Sequence, residues 1–154
     1  MIFIIPMKKL SFSLFLICAA IISSIAQNNP NAIIGKWMTV QNNLEVEVYR
    51  QTNSFKAKIL WFKDTDDKSR PMELRVDDKN PNKSLRSRKW IGMEVLRDLR
   101  YDDEDKEWQD GKVYVAKNGK EWDSVAWITK DNLLKVKGYW LFKFLGQTLT
   151  FKRI

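Results

Sequence analysis

Short stretches of alternating apolar and polar residues, separated by turn signals, constrain this chain more than any other feature of its sequence. Leu44, Val46 and Val48 alternate with charged or polar neighbours, and the same two-residue period returns in later stretches. Side chains of a β-strand point alternately to opposite faces, so this pattern predicts half-buried strands. From residue 27 onward, no stretch of ten or more residues has a convincing helical period. The sequence therefore predicts an all-β protein.

The pattern predicts about eight strands that are joined mostly by short turns. Asp110-Gly111 and Asn118-Gly119 are strong hairpin signals, with a strand between them. Sequential hairpins without long crossovers favour a single up-and-down antiparallel β-barrel over a Greek-key sandwich. The interior of an eight-stranded barrel is either filled by side chains or holds one small ligand.

A charged segment over residues 63–89 interrupts the pattern between strands 3 and 4. A loop of this length in a small barrel is typical of a lid, a binding loop or a mobile segment. We expect it to be the mobile part of the barrel, with a short helix near Pro81 to Arg86, and its Arg86–Arg88 end to border any ligand entrance. The candidate entrance residues are Trp61, Asp78, Asn80, Arg86 and Arg88.

Two interpretations of the loop arginines remain open. Arg86 and Arg88 could bind a carboxylate or phosphate as a fork pair near the barrel mouth. Alternatively, they pair with acidic neighbours and pin the loop, as arginines beside acids commonly do. Those neighbours are Asp77, Asp78 and Glu94.

Residues 1–26 have the pattern of a secretory signal peptide. Lys8-Lys9 supplies a basic start, an apolar run follows, and Ser24-Ile25-Ala26 supplies the small residues of a cleavage site. We expect cleavage between Ala26 and Gln27, and a periplasmic or extracellular protein whose single domain spans 27–154. The alternative is a retained membrane anchor, although the apolar run is barely long enough to span a bilayer.

The chain contains no histidine, and its one cysteine, Cys18, lies within the predicted signal peptide. The Ser-His and Cys-His nucleophile arrangements are therefore excluded. The usual zinc, copper and non-haem iron ligand sets are excluded as well. An enzyme would have to use carboxylates, lysine, tyrosine or arginine; we expect no catalytic residue, no metal site and no cofactor, and a protein that is not an enzyme.

The chain is basic, which restricts its partners. Removal of residues 1–26 takes away two lysines and no acid, so the net charge falls from +8 to +6. A basic surface attracts polyanions. Outside the cytoplasm, anionic lipids and envelope glycans are commoner partners than nucleic acid, which we do not expect. Interspersed charges of both signs also serve solubility alone. The pattern favours no particular oligomeric state.

Gly35 and Trp37 open the first strand, and Arg153 lies in the last one. This combination resembles the signature of lipocalins and related calycins, in which the tryptophan closes one end of the barrel and the arginine packs over its ring. A guanidinium over an indole gains roughly 0.5–2 kcal/mol. The resemblance implies that the three residues form a structural plug and do not bind ligand.

A second resemblance covers nearly the whole chain after residue 34. The sequence is similar to the DUF2147 family of exported bacterial proteins, whose function is undefined and which share the lipocalin-like barrel. Lys89-Trp90 and Val115-Ala116 depart from the family pattern. The matching segments are Gly35–Trp37, Trp61 with Lys63-Asp64, Asp78–Pro81, Leu85–Arg88, Ile91–Leu96, Asn118–Lys120, Leu134–Tyr139 and Gly146–Thr148.

These observations favour an exported lipocalin-like barrel that binds a small apolar or amphipathic molecule. The alternative is a non-catalytic envelope protein that binds anionic glycans or a lipid surface through a basic face bearing tryptophans. An open apolar interior would favour the first function, and a filled interior would favour the second.

Overall fold

The structure is a computed structural model that describes residues 29–154, so the predicted signal peptide lies outside the described residues. Asn31–Ile154 form one compact unit. Eight strands close into a single antiparallel barrel in which each strand pairs with the next and β8 pairs with β1. The predicted all-β, up-and-down barrel is therefore confirmed. Within residues 29–154, no helix is long and apolar enough to span a membrane.

The strand bounds follow the alternating stretches of the sequence. Along β3, apolar residues are buried at alternate positions from Phe55 to Ile59, as a half-buried strand requires. The strands are β1 (Gly35–Thr39), β2 (Leu44–Gln51), β3 (Ser54–Phe62), β4 (Glu94–Asp102), β5 (Glu107–Val115), β6 (Lys120–Ile128), β7 (Leu134–Tyr139) and β8 (Gly146–Arg153). Within the described residues, three short 3-10 helices occupy Pro30–Ile33, Met72–Leu74 and Lys83–Leu85.

The hairpin predicted at Asp110-Gly111 is wrong, because β5 runs through this dipeptide. The pairing with β6 shifts register between Trp108 and Gly111, and Asp110 has a φ of 58°. A β-bulge and a tight turn both accept a residue in the left-handed region. A side chain at Gly111 would also collide with Leu99, since its Cβ would lie 2.5 Å from the leucine Cδ2.

The long loop between β3 and β4 is present and extends to residue 93. The charged segment ends at Lys89, but β4 begins later, at Glu94. The Met93 amide donates to the Trp90 carbonyl at 3.1 Å, and Gly92 has a φ of 78°. This turn occupies residues 90–93, so β4 begins only after it. The helix expected near Pro81 to Arg86 is a single 3-10 turn at Lys83–Leu85.

Two groups of buried apolar residues fill the two ends of the barrel. Trp37 belongs to the larger group, which lies at the end where β1 begins and β8 finishes. Phe62 and Met93 belong to the smaller group, at the end that carries the long loop. Members of both groups also line a space inside the barrel.

Candidate functional site

Gly35, Trp37 and Arg153 meet at one end of the barrel. The Arg153 guanidinium carbon lies 4.2 Å from the centroid of the Trp37 ring, and only 1% of Trp37 is exposed. The Trp37 indole N–H donates to the Ile33 carbonyl at 2.8 Å. Arg153 Nη1 donates to the Ile34 carbonyl at 2.8 Å. The 3-10 helix at residues 30–33 and the arginine therefore cover this end.

Gly35 makes the approach of Arg153 possible. Its φ is +134°, and a Cβ placed there would lie 2.6 Å from Arg153 Nη1. Any side chain would strain the backbone and displace the guanidinium. The three predicted plug residues therefore lie in mutual contact, and none of them lines the barrel cavity described next.

A cavity of about 340 Å³ lies inside the barrel. Strand alternation turns one face of each strand inward, and apolar side chains occupy those positions. The cavity extends from Leu134 and Phe151, near the plug, to Phe62 and Trp90 under the long loop. The apolar lining also includes Val46, Ala57, Ile59, Val113, Val136 and Leu149. The interior is thus neither packed solid nor polar.

Charged side chains of the described residues line this cavity only at Lys63, Asp66 and Lys117. All three follow β3 or β5, so they lie at the barrel end opposite the plug. Asp66 accepts a hydrogen bond from Arg75 at 2.9 Å and lies 3.6 Å from the Lys117 ammonium. The bond from Arg75 lowers the pKa of Asp66. We call Lys63, Asp66 and Lys117 the charged rim of the cavity. Sequence reasoning missed it, because charged residues in loops have no periodic pattern.

Arg75 is the buried cation behind the rim. It is only 3% exposed, although it lies in a loop. Its Nη2 donates to Asp66 and to the Asp67 carbonyl, and its guanidinium lies 5.6 Å from the Trp90 ring centroid. The residue therefore fixes the first half of the long loop against the barrel end.

The second half of the loop is held by the carboxylate of Asp77, which is completely buried. It accepts hydrogen bonds from the Tyr114 hydroxyl at 2.6 Å, from Asn80 Nδ2 at 2.7 Å and from Arg88 Nη2 at 2.7 Å. Burial acts to raise the pKa of Asp77, but these three donors outweigh it and lower the pKa below its usual value. Burial and the bond to Asp77 raise the pKa of Tyr114 to about 12.

Most of the predicted entrance residues bond to other residues of the long loop. Arg88 pairs with Asp77, and Arg86 Nε donates to the Asn80 carbonyl at 2.8 Å. Asp78 accepts a bond from Arg70 at 3.3 Å. These contacts favour the pinning interpretation of the loop arginines. Trp61 is half-buried on β3, opposite Glu45.

The predicted entrance residues do not line the barrel cavity. Asn80 and Arg88 border a second depression of about 410 Å³, which lies between the loop and strands β4 to β6. Trp61, Asp78 and Arg86 line neither of these two spaces. Within residues 29–154, no group of three or more potential ligand side chains could hold a metal ion.

Comparison with known proteins agrees with the geometry. The structure is similar to protein HP1028 from the human pathogen Helicobacter pylori, which belongs to the lipocalin family. The TM-score is 0.66 at 23% identity, over 79% of this chain and 82% of that chain, a similarity that shows the fold alone. No curated protein matches the sequence. Residues 35–153 match the family described as "Uncharacterized protein conserved in bacteria (DUF2147)". The chain therefore belongs to the DUF2147 family, as its sequence motifs predicted.

Proposed function

We propose that this protein is an exported, non-catalytic lipocalin-like barrel that binds a small apolar or amphipathic molecule in its interior. The observation that carries the proposal is the apolar cavity of about 340 Å³. Ligand sites typically have volumes of about 300–1,000 Å³ and combine an apolar lining with a few polar groups. Transfer of apolar surface from water gains about 25 cal/mol per Å², which is the driving force available here.

The charged rim favours a ligand with a polar or anionic head. Lys63 lines the open end of the cavity and is in no ion pair among the described residues. The Lys117 side chain is 76% exposed and lies beside Asp66. An acyl chain inside the barrel would place its head group beside Lys63, where a carboxylate gains a charge-assisted hydrogen bond.

Binding of a fluorescent polyene C18 fatty acid tests the proposal. We expect saturable binding with increased fluorescence. Leu149→Trp should lower the affinity at least tenfold, because Leu149 lines the cavity and the larger side chain fills it. Thr148→Trp is the matched control, since Thr148 is exposed and points to the opposite face of β8. No saturable binding, or equal losses in both variants, would refute the cavity as the site.

The head-group position needs its own variant. Lys63→Gln should weaken binding of the fatty acid about threefold to tenfold and leave binding of the corresponding fatty alcohol unchanged, because only the acid is charged. Lys68→Gln, in the same loop but outside the cavity lining, is the control. An equal effect of Lys63→Gln on both ligands would show that the lysine does not meet the head group.

A further inference from the structure

The loop between β7 and β8 exposes an unusual amount of apolar surface. We call residues 140–145 the apolar loop. Five of its six residues are large and apolar, and none is acidic. The exposed fractions are 68% for Trp140, 69% for Leu141, 56% for Phe142, 75% for Phe144 and 55% for Leu145. A contiguous exposed patch of this kind marks an interaction surface.

The apolar loop has a defined conformation. The Phe142 amide donates to the Trp140 carbonyl at 2.8 Å, and the Leu145 amide donates to the Phe142 carbonyl at 3.0 Å. The rings of Phe142 and Phe144 stack with centroids 5.5 Å apart. Leu141 has a φ of 67°, a strained value for a bulky residue. Strained backbone tends to occur where function requires it.

A basic surface runs along the strands that this loop connects, from Lys137 near the loop toward the plug end of the barrel. Val136, Leu149 and Phe151 line the cavity, so their neighbours along β7 and β8 point outward. By the same alternation, Lys36 points outward beside the buried Trp37 on β1. Strands β1, β7 and β8 contain no aspartate or glutamate. The resulting basic strand face consists of Lys36, Lys135, Lys137 and Lys152, none of which is in an ion pair within residues 29–154.

We propose that the apolar loop inserts into the interface of a lipid bilayer whose head groups are anionic, while Lys137, at the loop end of the basic strand face, and Lys143 bind the phosphates. Aromatic side chains, tryptophan above all, favour the level of the head groups. Lysines near an anionic surface strengthen such binding and make it depend on salt. Lys143, within the loop, adds one more cation; its ammonium donates to Gln109 at 2.7 Å.

Charge argues for a bilayer over a second copy of this chain. A dimer formed through the apolar loop would bring Lys137 and Lys143 of the two copies close together, and their repulsion would oppose association. An anionic surface complements the same charges. The pattern of an apolar insertion beside lysines is that of proteins that lie on a membrane without crossing it.

The apolar loop also leads directly to the cavity. β1 pairs with β8 only from Phe151 to Arg153, and the Val40 amide reaches the Thr150 carbonyl. In the described structure, β8 from Gly146 to Leu149 therefore lacks a β1 partner. Leu149 lines the cavity and is 47% exposed, so the cavity reaches the surface here. Docking would place this opening close to lipid, although docking itself does not depend on the ligand proposed above.

Co-sedimentation with vesicles tests the loop. We expect the protein to sediment with vesicles of equal parts phosphatidylglycerol and phosphatidylcholine. Phe142→Ser/Phe144→Ser should reduce the partition coefficient at least tenfold, because two exposed rings are lost from the insertion. Leu74→Ser/Leu85→Ser is the matched control, since these residues are 57% and 38% exposed in the long loop. The midpoint temperature of thermal unfolding should be the same in both variants as in the unsubstituted protein, called the parent below.

The two lysines are tested separately. Lys137→Gln/Lys143→Gln should reduce partition to the anionic vesicles about tenfold or more, and 0.5 M salt should reduce it in the parent. Lys68→Gln/Lys83→Gln, on the exposed long loop, is the control. Vesicles of phosphatidylcholine alone should bind the parent more weakly.

Three outcomes would overturn the proposal. The first is no sedimentation with anionic vesicles, and the second is unchanged partition of Phe142→Ser/Phe144→Ser. The third is that the protein forms a dimer and that the same two substitutions make it monomeric, which would show that the apolar loop binds a second copy of the chain. Binding of the fatty-acid probe should persist in the loop variants, so failure here is distinguishable from failure of the cavity proposal.

Discussion

At the residue scale, Trp37 and Arg153 join the first strand to the last. The guanidinium lies 4.2 Å from the indole centroid and also reaches the carbonyls of Ala32 and Ile34. The ring contact alone is worth roughly 0.5–2 kcal/mol. Because the same side chain also holds the segment that precedes β1, its removal loosens more than one contact.

We predict that Arg153→Ala lowers the free energy of unfolding by roughly 1–3 kcal/mol and Trp37→Ala by about 3–5 kcal/mol. The two losses should be less than additive in a double-mutant cycle, because both remove the same contact. Chemical denaturation measures the free energy of unfolding of the unsubstituted protein, the two single variants and the double variant. Lys152→Ala, beside Arg153 but facing outward, should change stability by less than about 0.5 kcal/mol. A coupling energy near zero would show that the plug contributes nothing.

A second prediction at the residue scale concerns the contribution of Asp77 to stability. Its folded-state pKa is lowered, so its contribution to stability is present above the unfolded-state pKa of about 3.9 and is lost as pH falls through the folded-state value. Asp77→Asn should cost about 2 kcal/mol at pH 7, because charge-assisted hydrogen bonds are lost. The difference between variant and parent should shrink below about pH 4. Denaturation at pH 7 and pH 3 measures it, with the part-exposed Asp78→Asn as control.

These two sites differ in how far the sequence predicts them. The contact of Gly35, Trp37 and Arg153 was implied by the resemblance to lipocalins, and strand alternation agrees with the inward direction of Trp37. Arg75 and Asp77 lie in a loop dense with charge, where composition predicts exposure. Both are nevertheless buried, because Arg75 bonds to Asp66 and Asp67 within the loop and Asp77 bonds to Tyr114 on β5. The burial of Asp77 thus depends on a contact between distant parts of the chain.

At the element scale, Asp110-Gly111 shows that a turn signal reports backbone conformation and not topology. The dipeptide does carry a positive φ, at Asp110, but within a bulge of β5. Only the partner strand decides between a bulge and a hairpin. Asn118-Gly119 lies between β5 and β6, where Gly119 has a φ of 70°, so the same signal there does mark a turn.

The long loop was predicted from composition, and its mobility stays a prediction that the contacts refine. The Asp77 amide donates to the Arg88 carbonyl, and the Trp90 amide donates to the Arg75 carbonyl. We expect slow hydrogen exchange at these two amides and fast exchange at Lys68, whose side chain is exposed. Equal protection throughout residues 63–89 would contradict this division of the loop.

Charge reversal separates the two interpretations of the loop arginines. Arg88→Glu should destabilise the fold by about 3 kcal/mol, because it leaves the buried Asp77 carboxylate without its cation and adds a like charge. Arg86→Glu should cost less, since Arg86 is exposed and bonds only a backbone carbonyl. Under pinning, the fatty-acid probe binds both variants as it binds the parent. Weaker binding with unchanged stability would instead place both arginines at the ligand.

At the scale of the whole molecule, sequential hairpins of about eight strands favour a closed barrel, because closure removes the unpaired edges and places the apolar faces inside. Whether the barrel is open or filled was not predictable. The volume left inside depends on side chains that meet across it, such as Val46, Val113 and Phe151. Alternation tells which residues point inward but not how completely they fill the space.

The proposal that the protein is exported also concerns the whole molecule, and it depends on the signal-peptide pattern of residues 1–26. We predict that the exported protein begins at Gln27, because Ser24-Ile25-Ala26 places small residues where a signal peptidase requires them. Mass spectrometry of the native protein from the periplasm or the medium measures the N-terminus. Ala26→Tyr should block cleavage and retain the protein in the membrane fraction, whereas Asn29→Tyr, beyond the cleavage site, should not. Exported protein that retains Lys8 and Lys9 would show that the segment is an anchor and not a cleaved signal.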